Sequence, residues 1–141
     1  MSTVKRRAET VIERPADEVW ARVRDFGDIS WIPGSESCVM DGDDRKVTRA
    51  TWDFALVQRL VNHDDEKRTY SYTLPDELDF GSLLGPGHVV RVIDGTLTIT
   101  PKGESESVAS WDIETEDFLI DGVHAEYQAA LESLKVQLEG G

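Results

Sequence analysis

The amino-acid sequence predicts an α+β fold, in which consecutive strands form an antiparallel sheet and the helices are segregated from it. Three observations predict this: a short amphipathic helix pattern near the N-terminus, turn residues at hairpin spacing from about residue 35 to about 116, and a long apolar stripe at helical spacing near the C-terminus. The 141 residues point to a single domain, 1–141. Since one helix cannot fill a curved sheet along its whole length, we expect a cavity between them.

The N-terminal segment predicts a strand followed by a helix. Residues 3–13 alternate as in a half-exposed strand, and one side of it carries Ala8, Thr10 and Ile12. Pro15 suits the first position of a helix, where its missing N–H is not needed. The segment 16–26 should form that helix, with an apolar face made by Val19, Trp20, Val23 and Phe26.

The segment that follows this helix reads as a structural corner. We expect Gly27 to end the helix, residues 28–32 to form one more short helical turn, and Pro33-Gly34 to break it. Asp25-Phe26-Gly27 matches the metal-binding triplet of protein kinases, but it follows a helix and no nucleotide-binding loop precedes it. A nucleotide-binding role is therefore not expected.

The rest of the chain predicts a meander and a final helix. Runs of strand-forming residues, separated by turn residues, predict strands at 35–41, 45–51, 54–63, 68–74, 94–100 and 106–118. A long helix is predicted from about Phe118 to Leu138, and its apolar stripe comprises Val123, Tyr127, Leu131, Leu134 and Leu138.

Charge and cysteine content limit the classes of partner. The formal net charge is −13, from 28 acidic and 15 basic residues, and such a field repels phosphate backbones and anionic membranes. We therefore expect no nucleic-acid partner and treat Lys5-Arg6-Arg7 as a solvated face. Cys38 is the only cysteine, so no internal disulfide can form, and a cytoplasmic location is expected. No apolar run approaches the length of a membrane span, and monomer and homodimer both remain open.

The sequence contains no pattern typical of a metal or cofactor site. His63, His88 and His124 are scattered without ligand spacing, and neither a phosphate-binding loop nor a dinucleotide glycine fingerprint is present. We therefore expect no metal and no cofactor.

The segment 10–34, TVIERPADEVWARVRDFGDISWIPG, is similar to the opening of START-like domains of the polyketide cyclase/dehydrase and lipid-transport group, whose superfamily also holds the birch-pollen-allergen-like proteins. Its matching residues are Pro15, Val19-Trp20, Asp25-Phe26 and Trp31-Ile32-Pro33. Segments 59–74, 95–114 and 130–140 resemble later family elements in the same order. The resemblance implies a helix-grip fold, in which a seven-stranded antiparallel sheet wraps a long C-terminal helix and two short helices after strand 1 close one end.

The same resemblance implies a deep cavity for an apolar or amphipathic small molecule. Some members of the family carry ligands, whereas others cyclise or dehydrate polyketides, and the fold alone does not decide between these activities. The sequence departs from the family pattern in two places. Trp52 and Asp53 are expected at a hairpin tip rather than in the cavity. The glycine-rich segment 75–92 is longer than usual, and forms either a lid over the cavity or an insertion packed on the sheet.

Strand alternation and the helical stripe select the candidate ligand-binding residues. Inward-facing aromatic and apolar positions make up most of the set, and buried polar atoms of Gln58 and the tyrosines would need partners that a ligand can supply. The predicted ligand-binding residues are Trp31, Phe54, Leu56, Gln58, Tyr70, Tyr72, Phe80, Leu97, Trp111, Val123 and Tyr127.

Three functions remain open from the sequence. The first is binding of a hydrophobic or amphipathic small molecule, such as a lipid, isoprenoid or polyketide-like compound. The second is a cyclase or dehydratase that uses a cavity His or Tyr as acid or base, with His88, His124 and Tyr72 as catalytic candidates. The third is an interaction module that acts through its surface. Arg49 and Arg91 would anchor a carboxylate only if they point inward, and we expect both on an exposed face.

Overall fold

The computed structural model describes residues 2–140. Its strands are β1 (Thr3–Ile12), β2 (Ser37–Asp41), β3 (Asp44–Thr48), β4 (Leu56–Asp64), β5 (Thr69–Thr73), β6 (Leu78–Asp79), β7 (Val89–Val90), β8 (Ile93–Lys102) and β9 (Glu106–Glu116). Its helices are α1 (Ala16–Val23), α2 (Gly81–Leu84) and α3 (Ile120–Glu139).

Seven of these strands form one sheet in the order β1-β9-β8-β5-β4-β3-β2, and every neighbouring pair is antiparallel. The two short strands β6 and β7 pair with each other outside this sheet. Helix α3 packs against β1 and β9, and α1 packs against β8 and β9. A seven-stranded antiparallel sheet gripping a long C-terminal helix is the helix-grip fold, so this prediction is confirmed.

The hydrophobic core lies between the helices and the β1-β9-β8-β5 half of the sheet. The alternation predicted for β1 is present, because Ala8 and Ile12 are completely buried. Leu131 and Leu134 of the predicted α3 stripe are also completely buried. Since α3 covers only one half of the sheet, the β3-β4 half has space in front of it.

The corner after α1 differs in detail from the prediction. The helix ends at Val23 rather than Phe26, and Gly27 does not adopt the left-handed conformation of a helix cap. The Asp25 carboxylate accepts the N–H of Gly27 at 2.9 Å, a local hydrogen bond that competes with continuation of the helix. The expected short helical turn at 28–32 is a single turn in which the N–H of Ile32 donates to the carbonyl of Ile29 at 2.9 Å.

The loop between β3 and β4 is longer than the sequence predicts. Strand β3 ends at Thr48, and β4 begins at Leu56 rather than Phe54. A turn in which the N–H of Trp52 donates to the carbonyl of Arg49 at 3.0 Å leads the chain away from the sheet. Phe54 therefore lies in the loop, and the prediction that it shares a strand face with Leu56 is wrong.

The basic cluster on β1 is a solvated face, as predicted. Lys5, Arg6 and Arg7 are exposed, and each lies within 4 Å of an acidic side chain. Burial raises the pKa of the Cys38 thiol, which agrees with its interpretation as an ordinary strand residue. Within residues 2–140, no helix has the length and apolar character needed to cross a membrane.

Candidate functional site

The candidate functional site is a cavity of about 250 Å³ between the β3-β4 half of the sheet and the first half of α3. Val47 and Leu56 line the sheet wall, and Val123 and Tyr127 line the helix wall. Most of the surface is apolar or aromatic, as in typical small-molecule sites. This volume lies slightly below the ~300–1,000 Å³ that is usual for drug-sized ligands, so it suits a small molecule.

A connected group of three aromatic side chains closes one side of the cavity. Tyr127 stacks on Trp111, with ring centroids 3.8 Å apart and an interplanar angle of 18°. The Trp111 Nε1–H donates to the Tyr72 hydroxyl at 3.0 Å, and the hydroxyls of Tyr72 and Tyr127 are hydrogen-bonded to each other. Trp111 and Tyr127 line the cavity, and Tyr72 lies behind them.

The donor and the acceptor of each hydrogen bond in this aromatic group can be assigned. The Tyr72 oxygen accepts the Trp111 N–H, and its buried O–H has no acceptor among the described residues other than the Tyr127 oxygen, so we assign Tyr72 as the donor of this pair. This leaves the Tyr127 proton as the donor that a cavity ligand would meet. Desolvation raises the pKa of Tyr127 to about 12, although the hydrogen bond from Tyr72 opposes the rise. Burial likewise raises the pKa of Tyr72 well above its ordinary value, so both hydroxyls are neutral at physiological pH.

Two arginines of the β3 side reach the cavity. Arg45 is only 2% exposed, and its Nε–H donates to the side-chain amide oxygen of Gln58 at 2.8 Å while Nη1 donates to the backbone carbonyl of Phe26 at 2.9 Å. Arg49 lies at the other end, where Nη1 contacts the Glu126 carboxylate at 2.9 Å. Arg49 Nε is buried and has no hydrogen-bond partner among the described residues.

The segment 75–92 covers the cavity mouth. Phe80 is buried and lines the cavity, and Leu83 and Leu84 of α2 line it while remaining 48% and 39% exposed. Ser82 Oγ donates to the Asp53 carboxylate at 2.7 Å, which joins α2 to the loop between β3 and β4. The segment thus contributes side chains to the cavity instead of packing wholly on the sheet. That this segment opens and closes as a lid stays a prediction.

The far end of this segment is anchored to the sheet. Glu116 is 3% exposed, and its two carboxylate oxygens accept the backbone N–H groups of Arg91 and Val92 at 2.9 and 3.2 Å. Thr115 Oγ1 donates to the carbonyl of Val92 at 2.6 Å. The Arg91 side chain forms an ion pair with Glu77 at 3.3 Å and is half exposed, as its expected surface position requires.

The structure brings six of the eleven predicted ligand-binding residues to the cavity wall. They are Leu56, Gln58, Phe80, Trp111, Val123 and Tyr127. The other five lie behind the wall or beside it: Trp31, Phe54, Tyr70, Tyr72 and Leu97.

These five residues have structural surroundings that explain their positions. Trp31 is buried against Trp111, with ring centroids 5.4 Å apart, so its neighbours Ile29 and Ile32 form the cavity edge in its place. Tyr70 packs between Trp20 and Phe26, and Leu97 is completely buried in the core. Phe54 stacks on Trp52 at 5.1 Å and supports it from outside the cavity.

The histidine candidates lie outside the cavity lining. His88 Nδ1 is hydrogen-bonded to the carbonyl of Gly85 at 2.7 Å, and its ring contacts Phe118 edge-on. His124 Nε2 is hydrogen-bonded to the carbonyl of Arg7 at 3.0 Å, on the β1 side of α3. Tyr72, the remaining catalytic candidate, lies behind Trp111 and Tyr127, to which it is hydrogen-bonded.

Sequence reasoning missed Arg45 and misplaced Arg49 and Trp52. All three line the cavity, although Arg49 and Trp52 were expected on the surface and at a hairpin tip. Alternation along the predicted strand 45–51 carried the signal, because Val47 faces inward and Arg45 and Arg49 are two residues to either side of it. Arg49 was expected on the surface because buried arginine is rare.

A comparison with protein-family models matches residues 3–139 to the model described as polyketide cyclase / dehydrase and lipid transport. A search of curated proteins finds no match.

Solved structures with the same fold include an uncharacterised protein from Bacillus thuringiensis, at 21% identity and TM-score 0.77, over 94% of this chain and 96% of that one. Norcoclaurine synthase from Thalictrum flavum, in complex with dopamine and hydroxybenzaldehyde, matches at 18% identity and TM-score 0.70, over 99% of this chain and 89% of its own. Ara h 8.0201 matches at 14% identity and TM-score 0.73, over 99% and 100%.

Identities this low establish a shared fold, and the function of a neighbour does not transfer to this chain. The family model, in contrast, spans nearly the whole sequence, and the resemblance seen at residues 10–34 points to the same group. The chain belongs to the polyketide cyclase / dehydrase and lipid transport family.

Proposed function

We propose that the protein binds a small hydrophobic or amphipathic molecule in the cavity between the sheet and α3. The observation that carries this proposal is the cavity itself, about 250 Å³ of space with a mostly apolar and aromatic wall. Close packing normally leaves few voids larger than a water molecule in a domain of this size. A space this large, beside a few convergent polar groups, is the usual form of a binding site.

The wall offers two kinds of contact to such a molecule. Leu56, Phe80 and Val123 provide apolar surface, and the stacked pair of Trp111 and Tyr127 provides an aromatic face. The Tyr127 hydroxyl adds a neutral hydrogen-bond donor. The norcoclaurine synthase neighbour, solved with dopamine and hydroxybenzaldehyde, supports the view that this fold accommodates small aromatic molecules.

Native mass spectrometry of the protein purified from its own host tests the proposal. We expect a co-purifying small molecule that is released on denaturation and identified by its mass. Bare protein would count against the proposal, and decisively so if a neutral hydrophobic probe also failed to bind.

An enzyme of the cyclase/dehydratase kind remains the second candidate, on one observation. Tyr127 on the cavity wall and Tyr72 behind it form a hydrogen-bonded pair through which a proton can be donated. The histidines supply no base to the cavity wall, and the Glu126 carboxylate at the mouth is held by Arg49. Chemical conversion of the identified ligand during incubation with the protein would favour this candidate. Recovery of unchanged ligand would favour binding alone.

A further inference from the structure

The cavity contains a buried cation without a counter-charge. Arg45 is 2% exposed, and no carboxylate within residues 2–140 lies within 4.0 Å of its guanidinium nitrogens. Buried charges are normally paired, because removing an ion from water costs several kcal/mol. Glu116 is the other buried charged side chain of the described residues, and it lies at the C-terminal end of β9, where backbone N–H groups hold it.

The neighbours of Arg45 orient it but do not neutralise it. Its Nε–H donates to the side-chain amide oxygen of Gln58, and its Nη1 donates to the backbone carbonyl of Phe26. Both oxygens are neutral. The guanidinium carbon lies 4.0 Å from the Phe26 ring centroid and 5.0 Å from that of Tyr72. Burial raises the pKa of Tyr70, and the positive charge of Arg45 opposes this rise. A guanidinium has five N–H donors, so donors remain without an acceptor among the described residues.

Arg45 and the mouth arginine, Arg49, have different roles. Arg45 lies on β3, whereas Arg49 comes four residues later, just beyond the end of that strand at Thr48, so their Cα atoms are at most roughly 13 Å apart. Arg49 is ion-paired with Glu126, and its guanidinium lies over the Trp52 ring at 5.1 Å. The mouth is therefore already electrically balanced. Among the described residues that line the cavity, Arg45 is the one cation without a carboxylate partner.

We propose that the ligand carries a carboxylate, which binds the Arg45 guanidinium and completes its coordination, while the apolar part of the ligand occupies the space lined by Leu56, Val123 and Trp111. This inference rests on the proposed function, and it narrows the ligand to a small acid with an alkyl or aromatic body. A carboxylate suits the site because it pairs with a guanidinium in a planar, two-oxygen geometry. Gln58 fixes the orientation of the guanidinium from the side.

The net charge of −13 makes the comparison of acids with alcohols informative. The overall field repels an anion, so a preference for an acid must come from a local cation. Titrations of the full chain would compare octanoic acid with octan-1-ol, and 3-phenylpropanoic acid with 3-phenylpropan-1-ol, by displacement of the uncharged probe N-phenyl-1-naphthylamine. We expect at least one acid to bind about tenfold or more tightly than its alcohol, the usual size of a hydrogen bond to a charged group. Whichever pair shows the larger preference identifies an alkyl or an aromatic body.

Two arginine variants provide the matched test. Arg45→Met should abolish the preference for the acid while the alcohol still binds. Arg59→Met removes one positive charge from the neighbouring strand β4, where Arg59 is exposed and paired with Asp44, and should leave the preference intact. If Arg45→Met does not fold, nuclear magnetic resonance of carboxyl-labelled octanoate on the wild-type protein gives the same information. A carboxylate at Arg45 should have a pKa below that of the free acid.

The outcomes separate this inference from the proposed function. Equal affinity for acid and alcohol, a preference that survives Arg45→Met, or a bound carboxylate with a raised pKa would each overturn the carboxylate inference and leave hydrophobic binding intact. Failure of the probe, both alcohols and both acids to bind would overturn the proposed function itself.

Discussion

Replacing Gly95 with alanine should disrupt the aromatic group behind the cavity. Gly95 is buried on β8 directly opposite Tyr72 of β5, and the Tyr72 ring lies against its backbone. A Cβ at this position would lie 2.8 Å from Tyr72 Cε1, and closer still to Cζ and Oη. Tyr72 cannot move aside freely, because its hydroxyl is hydrogen-bonded to Trp111 and Tyr127. The alanine therefore either strains the core or breaks these hydrogen bonds.

The size of the effect follows from those two costs. Overpacking of a core costs about 1–3 kcal/mol. Leaving the Trp111 N–H unpaired, the alternative outcome, also costs about 1–3 kcal/mol. We therefore expect Gly95→Ala to lower the free energy of unfolding by about 1–3 kcal/mol, measured by urea denaturation followed by tryptophan fluorescence.

Two further variants make this test specific. Gly122 lies in α3 with nothing within 4 Å of an added Cβ, so Gly122→Ala should leave stability unchanged or raise it by up to about 1 kcal/mol. Adding Tyr72→Leu to Gly95→Ala should recover part of the loss relative to the sum of the single changes. A change below about 0.5 kcal/mol for Gly95→Ala, or strict additivity in the double variant, would refute the steric argument.

Three other predictions concern titration and the cavity mouth. The three tyrosines of the chain all have pKa values raised by desolvation. Tyrosinate absorbance should therefore not appear at pH 10 in the folded protein, and stability should fall as pH rises from 10 toward 12. A rise in tyrosinate absorbance near pH 10 in the folded protein would contradict this. Hydrogen bonds from Arg24 and then Trp20 lower the pKa of Asp65 from 3.8 to about 2, so its stabilisation is present above pH 3.8 and is lost as pH falls toward 2. Urea midpoints of wild type and Asp65→Asn should therefore differ most at neutral pH and converge near pH 2, and a constant gap would contradict the assignment. Replacing both Leu83 and Leu84 with serine should weaken binding of N-phenyl-1-naphthylamine several-fold at nearly unchanged stability. Val61 is exposed on β4, so the control variant Val61→Ser should change neither the affinity nor the stability. Equal affinity of the Leu83/Leu84 double variant and wild type would show that α2 takes no part in binding.

The fold was largely predictable because its signals are local. Alternation defined β1, the apolar stripe defined α3, and turn residues separated the strands in between. The errors came from side-chain contacts that no periodicity encodes. The Asp25 carboxylate takes the N–H of Gly27 and ends α1 early, and the turn at Arg49 and Trp52 shortens β3 and delays β4.

The candidate site was less predictable because alternation gives the face of a residue and not its depth. Tyr70, Leu97 and Leu56 all face the interior, yet Tyr70 packs against Trp20 of α1 and Leu97 is completely buried, while Leu56 remains open to the cavity. That difference depends on where the helices cross the sheet. Arg45 was missed because its partners, Gln58 and the Phe26 carbonyl, are distant in sequence. The glycine within β8 was an available signal, since glycine inside a strand often marks a close approach.

Filling the cavity with a larger side chain should prevent a small molecule from binding between the sheet and α3. Val123→Trp places a large side chain on the cavity wall, and Val136→Trp places the same side chain on α3 at a position that is 69% exposed. Titrated with N-phenyl-1-naphthylamine, wild type and Val136→Trp should bind the probe with the same affinity, and folded Val123→Trp should not bind it. Probe binding that persists in folded Val123→Trp, or that fails in the wild-type protein, would contradict ligand binding in this cavity.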